Sequence, residues 1–136
     1  MVLNLTIKKE TWFLIVTYKN PRAPSRAYVE MLSNIYQSMF ANGIAKEVIL
    51  MGDLNINMMD DSNLITNELC DIYGLTNLIC EPTCYKSCEG TLIDPIIVTN
   101  IHRFHKALNV RCGYSDFHNF TCCMTRLKVP TMRQKL

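Results

Sequence analysis

Three short constellations in this 136-residue chain hold side chains that can do chemistry together. Gly52-Asp53-Leu54-Asn55 sets a carboxylate and an amide two positions apart, directly after the apolar run 48–51. If extended geometry persists through it, both side chains leave the same face of a sheet. Asp brings an acceptor and a proton sink; Asn brings an acceptor and donors. Together they can hold a water against a phosphate and steady the charge that develops on it. Gly, Asp and Asn also dominate turns, so the tetrapeptide taken by itself reads first as a plain turn.

The other two constellations change that reading. Asp94 stands inside the apolar run 91–99, where an unpaired carboxylate costs about several kcal/mol. His118, in Ser115-Asp116-Phe117-His118, needs a group that steers its ring. A histidine steered by a carboxylate is a common device for activating a nucleophile or donating a proton. Each residue answers the other's need, so Asp94 is expected to orient His118.

The cysteines suggest less. Cys80, Cys84 and Cys88 recur every four residues, but zinc knuckles pair Cys-x2–4-Cys with a distant second pair, and no fourth ligand is evident. They are expected to be loop residues. Seven cysteines, two of them the adjacent Cys122 and Cys123, form no regular framework. The first ten residues show neither an apolar signal core nor a small-residue cleavage site. Reduced thiols and an intracellular setting, nuclear or cytoplasmic and not secreted, are the expectation.

Hydrophobic residues at 49% and charged residues at 19% exclude a disordered chain and suit one globular domain. A net charge of +2 is too small to mark a nucleic-acid binder by charge alone. No apolar run is long enough to span a membrane, so no membrane partner is expected.

Several elements must position these residues. Residues 2–8 alternate Leu3, Leu5 and Ile7 with polar neighbours, and 11–18 is rich in β-branched and aromatic residues, which predicts two strands. A Pro-bearing loop, 19–24, leads to Ser25 as the N-cap of a helix reaching about residue 42, with Tyr28, Met31, Leu32, Ile35, Tyr36 and Met39 as its apolar stripe. A buried strand at 48–51 follows, then a short helix over 64–73 capped from 61–63 and ended by Gly74. Residues 75–79 read as a brief strand, 80–90 as irregular chain, and 91–99 as a second buried strand. Pro95 makes that strand irregular or places it near an edge. A basic crossover at 100–106 carries His102 and His105, both expected to be exposed. Strands at 107–111 and 120–127 follow, and domain residues 1–128 end in a loose basic tail, 129–136. The order of elements predicts a layered α/β or α+β domain.

Taken together, the motifs resemble those of the endonuclease/exonuclease/phosphatase superfamily, the DNase I-like fold. They are most like the endonuclease domain of non-LTR (LINE-type) retrotransposons. The strand 12–18 ending in Tyr18 before a Pro-bearing turn, Gly52-Asp53-Leu54-Asn55, Pro82-Thr83 ahead of Thr91-Leu92-Ile93-Asp94, and Ser115-Asp116-Phe117-His118 occur in the family's order and at its approximate distances. The resemblance implies half of a four-layer αββα sandwich: a mixed, mostly antiparallel sheet with two helices on one face. It implies metal-dependent phosphodiester hydrolysis, usually with Mg²⁺, and DNA as substrate. By this likeness Asp53 activates or positions the attacking water, Asn55 holds the scissile phosphate and Tyr18 lies against it. Asp116 lies near the metal, while His118 contacts the phosphoryl oxygens with Asp94 fixing its ring. Arg22, Arg26, His102, Arg103 and the tail residues Arg126, Lys128 and Arg133 become phosphate contacts.

Two departures accompany the resemblance. It covers the second half of the sandwich, whereas the first half brings an early Asn and the Glu that is the main metal ligand. Glu10, Glu30 and Glu47 fall in a turn, on a helix and before a strand. Turnover by this chain alone is therefore expected to be impaired. A sheet face is expected to stand uncovered, open to self-association or to a complementary N-terminal half. Second, Phe117 separates Asp116 from His118, which the family sets side by side. A bulge absorbs the extra residue, or Asp116 leaves the register and His118 keeps its place. The rival expectations are a non-catalytic remnant that serves as an interaction module, and a nucleotide-binding α/β module. The latter lacks a Gly-rich phosphate loop after any strand.

Overall fold

Alternation of apolar and polar residues makes β1 (Val2–Ile7) and β2 (Glu10–Val16) an antiparallel hairpin in which Leu3 faces Leu14 and Leu5 faces Trp12. The computed structural model describes residues 1–126 apart from 8, 42, 44, 46, 112, 114 and 116. Lys9, at φ 70°, takes the positive φ that so tight a turn requires. Helix α1 (Ser25–Ala41) then carries the chain over the sheet to β3 (Glu47–Met51), which runs parallel to β2 with Leu14 opposite Ile49. Parallel neighbours need such a crossover, because a two-residue turn cannot join them.

The next helix spans residues 64–73. Its middle, Thr66–Cys70, is wound as a π-helix and its end, α2 (Asp71–Tyr73), is α-helical. Asn63 caps it by accepting the Thr66 N–H at 2.8 Å, and Gly74 ends it in the left-handed conformation. Two short strands complete the main sheet, β4 (Thr76–Asn77) and β5 (Ile96–Val98), giving the order β1-β2-β3-β5-β4. The β2–β3 pair is parallel and all other pairs are antiparallel. After a 3₁₀ turn at Ile101–Arg103, β6 (Phe104–Arg111) and β7 (Asn119–Thr125) form a separate antiparallel pair.

Both helices lie on one face of the five-stranded sheet. Val29, Leu32 and Tyr36 of α1, with Ile65 and Leu69, bury against Ile15, Val48, Leu50 and Ile97. The stripe on α1 is rotated from the sequence reading: Val29 is buried and Met31 is exposed, because the 29-32-36 row faces the sheet. Tyr36, Phe40 and Tyr73 stack with centroids 5.5–5.9 Å apart and lock the two helices together.

The opposite face is only partly covered. The β6–β7 pair closes over Trp12, Ile96 and Val98 through Phe104, with Ala107 and Cys123 alongside. Leu3, Leu14, Ile49 and Val98 are successive cross-strand partners and so share that face. At its far end Leu3 and Leu5 remain 40% exposed.

The strand expected over 91–99 is shorter than its apolar run implies. Only Ile96–Val98 pairs as β5, between β3 and β4 rather than at an edge. Pro95 has no N–H, and the N–H groups of Ile93 and Asp94 are taken by the Thr83 hydroxyl at 3.2 and 3.0 Å. Asp94 therefore sits in a bend just before β5, not inside a strand.

Candidate active site at the carboxyl end of the central strand

The chain leaves β3 through Gly52, whose φ of +132° is closed to other residues. A β-carbon there would stand 1.8 Å from the Thr17 carbonyl oxygen. That close approach lets residues 17–19 run beside 51–53 beyond the formal ends of both strands: Thr17 N–H donates to Met51 O at 3.0 Å and Lys19 N–H to Asp53 O at 2.9 Å. On the other side Leu54 N–H donates to Ile93 O at 2.8 Å. Asp53 is thus held between two neighbouring segments.

Extended geometry does not persist to Asn55, contrary to the sequence expectation. Asn55 has φ 45°, and its N–H turns back to Asp53 Oδ1 at 3.0 Å. Its side-chain amide donates to Lys19 O at 2.9 Å. The tetrapeptide is a turn, as its composition permits, and the turn is pinned at the lip where the ligand site of a layered α/β sheet is expected.

Residues 83–85 are the bridge to the second sheet. Thr83 and Cys84 donate to Thr91 O at 2.8 and 2.9 Å, while Tyr85 N–H donates to Phe117 O at 2.9 Å and Asn119 N–H to Thr83 O at 2.7 Å. These bonds lay His118 against Cys84 and bring its ring to Asp94, Nδ1 standing 3.0 Å from Oδ2. The direction of the network follows from Thr83. Its oxygen accepts from two backbone N–H groups, so its proton goes to Asp94 Oδ2 at 2.7 Å. A carboxylate at Asp94 can accept from Thr83 on one side and from His118 Nδ1 on the other. The other ring nitrogen, Nε2, faces Cys84 Sγ at 3.6 Å.

One ligand atom from each of Asp53, Asp94 and His118 lies within 4.8 Å of the others. Burial raises the Asp53 carboxyl above its ordinary pKa. The bond from Asn55 N–H opposes this, Asp94 adds to it, and His118 and Lys86 lower it. Two carboxylates converging on one imidazole form a place for a cation, and oxygen donors suit Mg²⁺, which binds through one or two carboxylates and keeps its waters. Asn55 and Lys86 line a cavity of about 450 Å³ beside this cluster, and His118 lines another of about 470 Å³ with Tyr85 and Arg111.

The remaining expected residues divide. Tyr18 is 64% exposed on the same lip, between Thr17 and Lys19. Arg22 is exposed, while Arg26 is paired with Glu68 at 2.8 Å and ties α1 to the following helix. Arg103 is not a phosphate contact: it stacks 5.2 Å from the centre of Trp12 and is paired with Glu10 and Glu47. Asp116 lies outside the described residues, as do Lys128 and Arg133, while Arg126 donates from Nε to Phe104 O at 3.1 Å. Neither Glu10 nor Glu47 reaches the site, because both face Arg103 at the opposite end of the sheet. Glu10 belongs to β2 rather than to a turn.

Three solved structures share this arrangement of elements. The endonuclease domain of TRAS1, a telomere-specific non-LTR retrotransposon, superposes with a TM-score of 0.71 over 94% of this chain at 19% identity. The chain has the DNase I-like fold. An endonuclease/exonuclease/phosphatase family protein of Bacteroides thetaiotaomicron matches 82% of the chain with a TM-score of 0.50 at 16% identity. A mannosyl-6-phosphatase of the same organism matches 84% with a TM-score of 0.52 at 16% identity. The chain spans 64%, 46% and 50% of those three structures' own lengths. No family model matches the sequence, and no curated protein does.

Within this DNase I-like half, two contributors escaped the sequence reading. Thr83 was visible only as part of Pro82-Thr83, and its pairing with Asp94 depends on a contact eleven residues away in the chain. Lys86 acts on Asp53 through space and carries no motif. Its signal was a lone cation in a polar loop, which spacing does not distinguish from a solvated charge.

Proposed function

We propose that this chain carries part of a metal-dependent phosphodiesterase site that acts on DNA. The observation behind the reading is the convergence of Asp53, Asp94 and His118 within 4.8 Å beyond the carboxyl end of β3. Mg²⁺, held by Asp53 with Asp94 nearby, supplies charge neutralisation of the phosphate when bound. Asp53 orients or deprotonates the attacking water. Asn55 and Tyr18 bracket the phosphate from the same lip. His118, its ring fixed by Asp94, donates a hydrogen bond or a proton to a phosphoryl oxygen. Asp116 is a further metal ligand in this scheme, and Arg22 a backbone contact to DNA. The likeness to a retrotransposon endonuclease domain favours DNA over other phosphate esters.

Glu10 and Glu47 are committed to Arg103, so the site lacks an acidic anchor from either. Slow nicking of supercoiled plasmid in Mg²⁺ is expected, abolished by chelation. Asp53→Ala and His118→Ala should each lower it by about 100-fold or more. Equal nicking by both variants would discard the assignment, and a folded wild-type chain that never nicks would leave the second reading.

That second reading is an interaction module. It is favoured by the half-covered sheet face, where Leu3 and Leu5 are 40% exposed, and by the partial span of the matched structures. The face suits the apolar layer of a complementary N-terminal half, or of a second copy in its place. Light scattering that reports a monomer at high concentration would remove the second-copy form of this reading.

A further inference from the structure

His118 lines not only the cation cluster but also a cavity of about 470 Å³, whose walls include Tyr85, Phe117, Asn109 and Arg111. We propose that this cavity seats one unstacked base of the substrate DNA strand, beside the scissile phosphate, so that the chain acts on single-stranded or locally opened DNA.

Three observations carry this. The first is a pair of rings left open to solvent. Tyr85 and Phe117 are each 48% exposed. The bridge between Cys84 and His118 sets them opposite each other one step further on, where Tyr85 N–H donates to Phe117 O at 2.9 Å. Residues opposite each other on paired segments send their side chains to the same side. The two rings thus form one aromatic wall, which holds a base by its π face whichever base it is.

The second is an unmet acceptor. Asn109 donates from Nδ2 to Pro82 O at 2.7 Å, while its Oδ1 is buried with no partner among the described residues. A buried acceptor in that state calls for a donor. Each of the four DNA bases carries an N–H on its pairing edge, and that edge becomes free once the base leaves its partner. A sugar hydroxyl also donates, but it brings no flat face for the rings. The third observation is charge. Arg111 is exposed and brings a guanidinium to the same cavity, where it suits the next phosphate along the strand.

A base inside a duplex must leave the stack before it can enter such a cavity. Single-stranded, mismatched or strained DNA is therefore preferred over a relaxed, fully paired duplex. That the base belongs to DNA rests on the phosphodiesterase reading above; the cavity's chemistry does not.

The test is photo-cross-linking of the whole chain to a short single-stranded oligonucleotide carrying iodouracil, in chelator so that no cleavage intervenes, with the attachment mapped by mass spectrometry. Attachment to Tyr85 or Phe117 is expected. Tyr85→Ala and Phe117→Ala should each weaken binding of the strand, read by fluorescence anisotropy, by roughly 5–100-fold, and Tyr85→Phe should bind as wild type does. The fully paired duplex of the same sequence should bind more weakly than the single strand. Attachment elsewhere or none, unchanged affinity in both alanine variants, or preference for the duplex overturns the proposal. If the alanine variants fail to fold, the wild-type attachment map and the duplex comparison decide. A chain that cross-links through this wall yet never nicks plasmid loses the phosphodiesterase reading and keeps the base pocket. One that nicks but attaches its strand elsewhere keeps that reading and loses the pocket.

Discussion

Thr83 Oγ1 donates to Asp94 Oδ2 across 2.7 Å while accepting the N–H of Asp94 itself, a reciprocal contact that fixes the bend before β5 and aims the carboxylate at His118. Thr83 is fully buried, so no water replaces its hydroxyl. Thr83→Val keeps the shape and removes three hydrogen bonds, leaving two N–H groups and a carboxylate short of a partner. A loss of about 1–3 kcal/mol in urea unfolding is expected, with Thr83→Ser recovering most of it. Equal stability of Val and Thr would mean that the hydroxyl does not organise the bend.

Gly52 and Gly74 both have positive φ, yet their substitution costs should differ. Gly74→Ala meets nothing within 4 Å and bears only the left-handed penalty, about 1–2 kcal/mol. Gly52→Ala drives a β-carbon into the Thr17 backbone, which must move away from Met51 and Asp53. Roughly 3 kcal/mol or more is expected, in the tail of single-substitution effects. Similar melting shifts for the two variants would refute the close approach as the reason for Gly52.

Much of this is legible in the sequence because residues advertise unmet needs. Asp94 in an apolar run and His118 without an orienter imply each other, and they stand 3.0 Å apart. Gly74 ended its helix because no other residue takes αL so cheaply. What sequence could not give was decided by distant captures. Thr83 takes two N–H groups that periodicity assigned to a strand over 91–99. Arg103 looked like a phosphate contact until Trp12, Glu10 and Glu47 surrounded it. Asn55 left the extended path because its own amide reaches Lys19 O, and the phase of α1 was set by the sheet, which chose Val29 over Met31.

Glu47 separates structure from catalysis. It is fully buried and accepts from Thr99 N–H at 2.8 Å, from the Thr99 hydroxyl and from Asn100 N–H at 3.1 Å, with Arg103 Nε 3.7 Å from its second oxygen. Five strand residues at about 3.3 Å each lie between this end of β3 and the candidate site. Glu47→Ala should cost about 3–5 kcal/mol, because the Arg103 charge and three donors lose their acceptor. The Mg²⁺-induced rise in melting temperature should persist in that variant. Loss of the Mg²⁺ response at intact fold would mark Glu47 as a metal ligand after all.

Asp53 makes a prediction with a sign. Burial, reinforced by Asp94, raises its carboxyl above the ordinary value, so the folded state favours the protonated form. A raised carboxyl contributes stability below its unfolded pKa of about 3.9, and that contribution is lost as pH rises through the folded value. Without metal, Asp53→Asn should therefore be more stable than wild type at neutral pH, with the difference shrinking as the pH falls below the folded pKa of Asp53. Saturating Mg²⁺ should reverse the order: at a concentration 100 times its dissociation constant, it adds about 2.7 kcal/mol to a chain that binds it only when folded. The variant without the carboxylate gains little. Chemical denaturation at an acidic and at a neutral pH, with and without Mg²⁺, reads all four combinations. A wild-type chain more stable than Asp53→Asn in chelator at neutral pH would show that Asp53 is held by a favourable partner instead of strained for a cation.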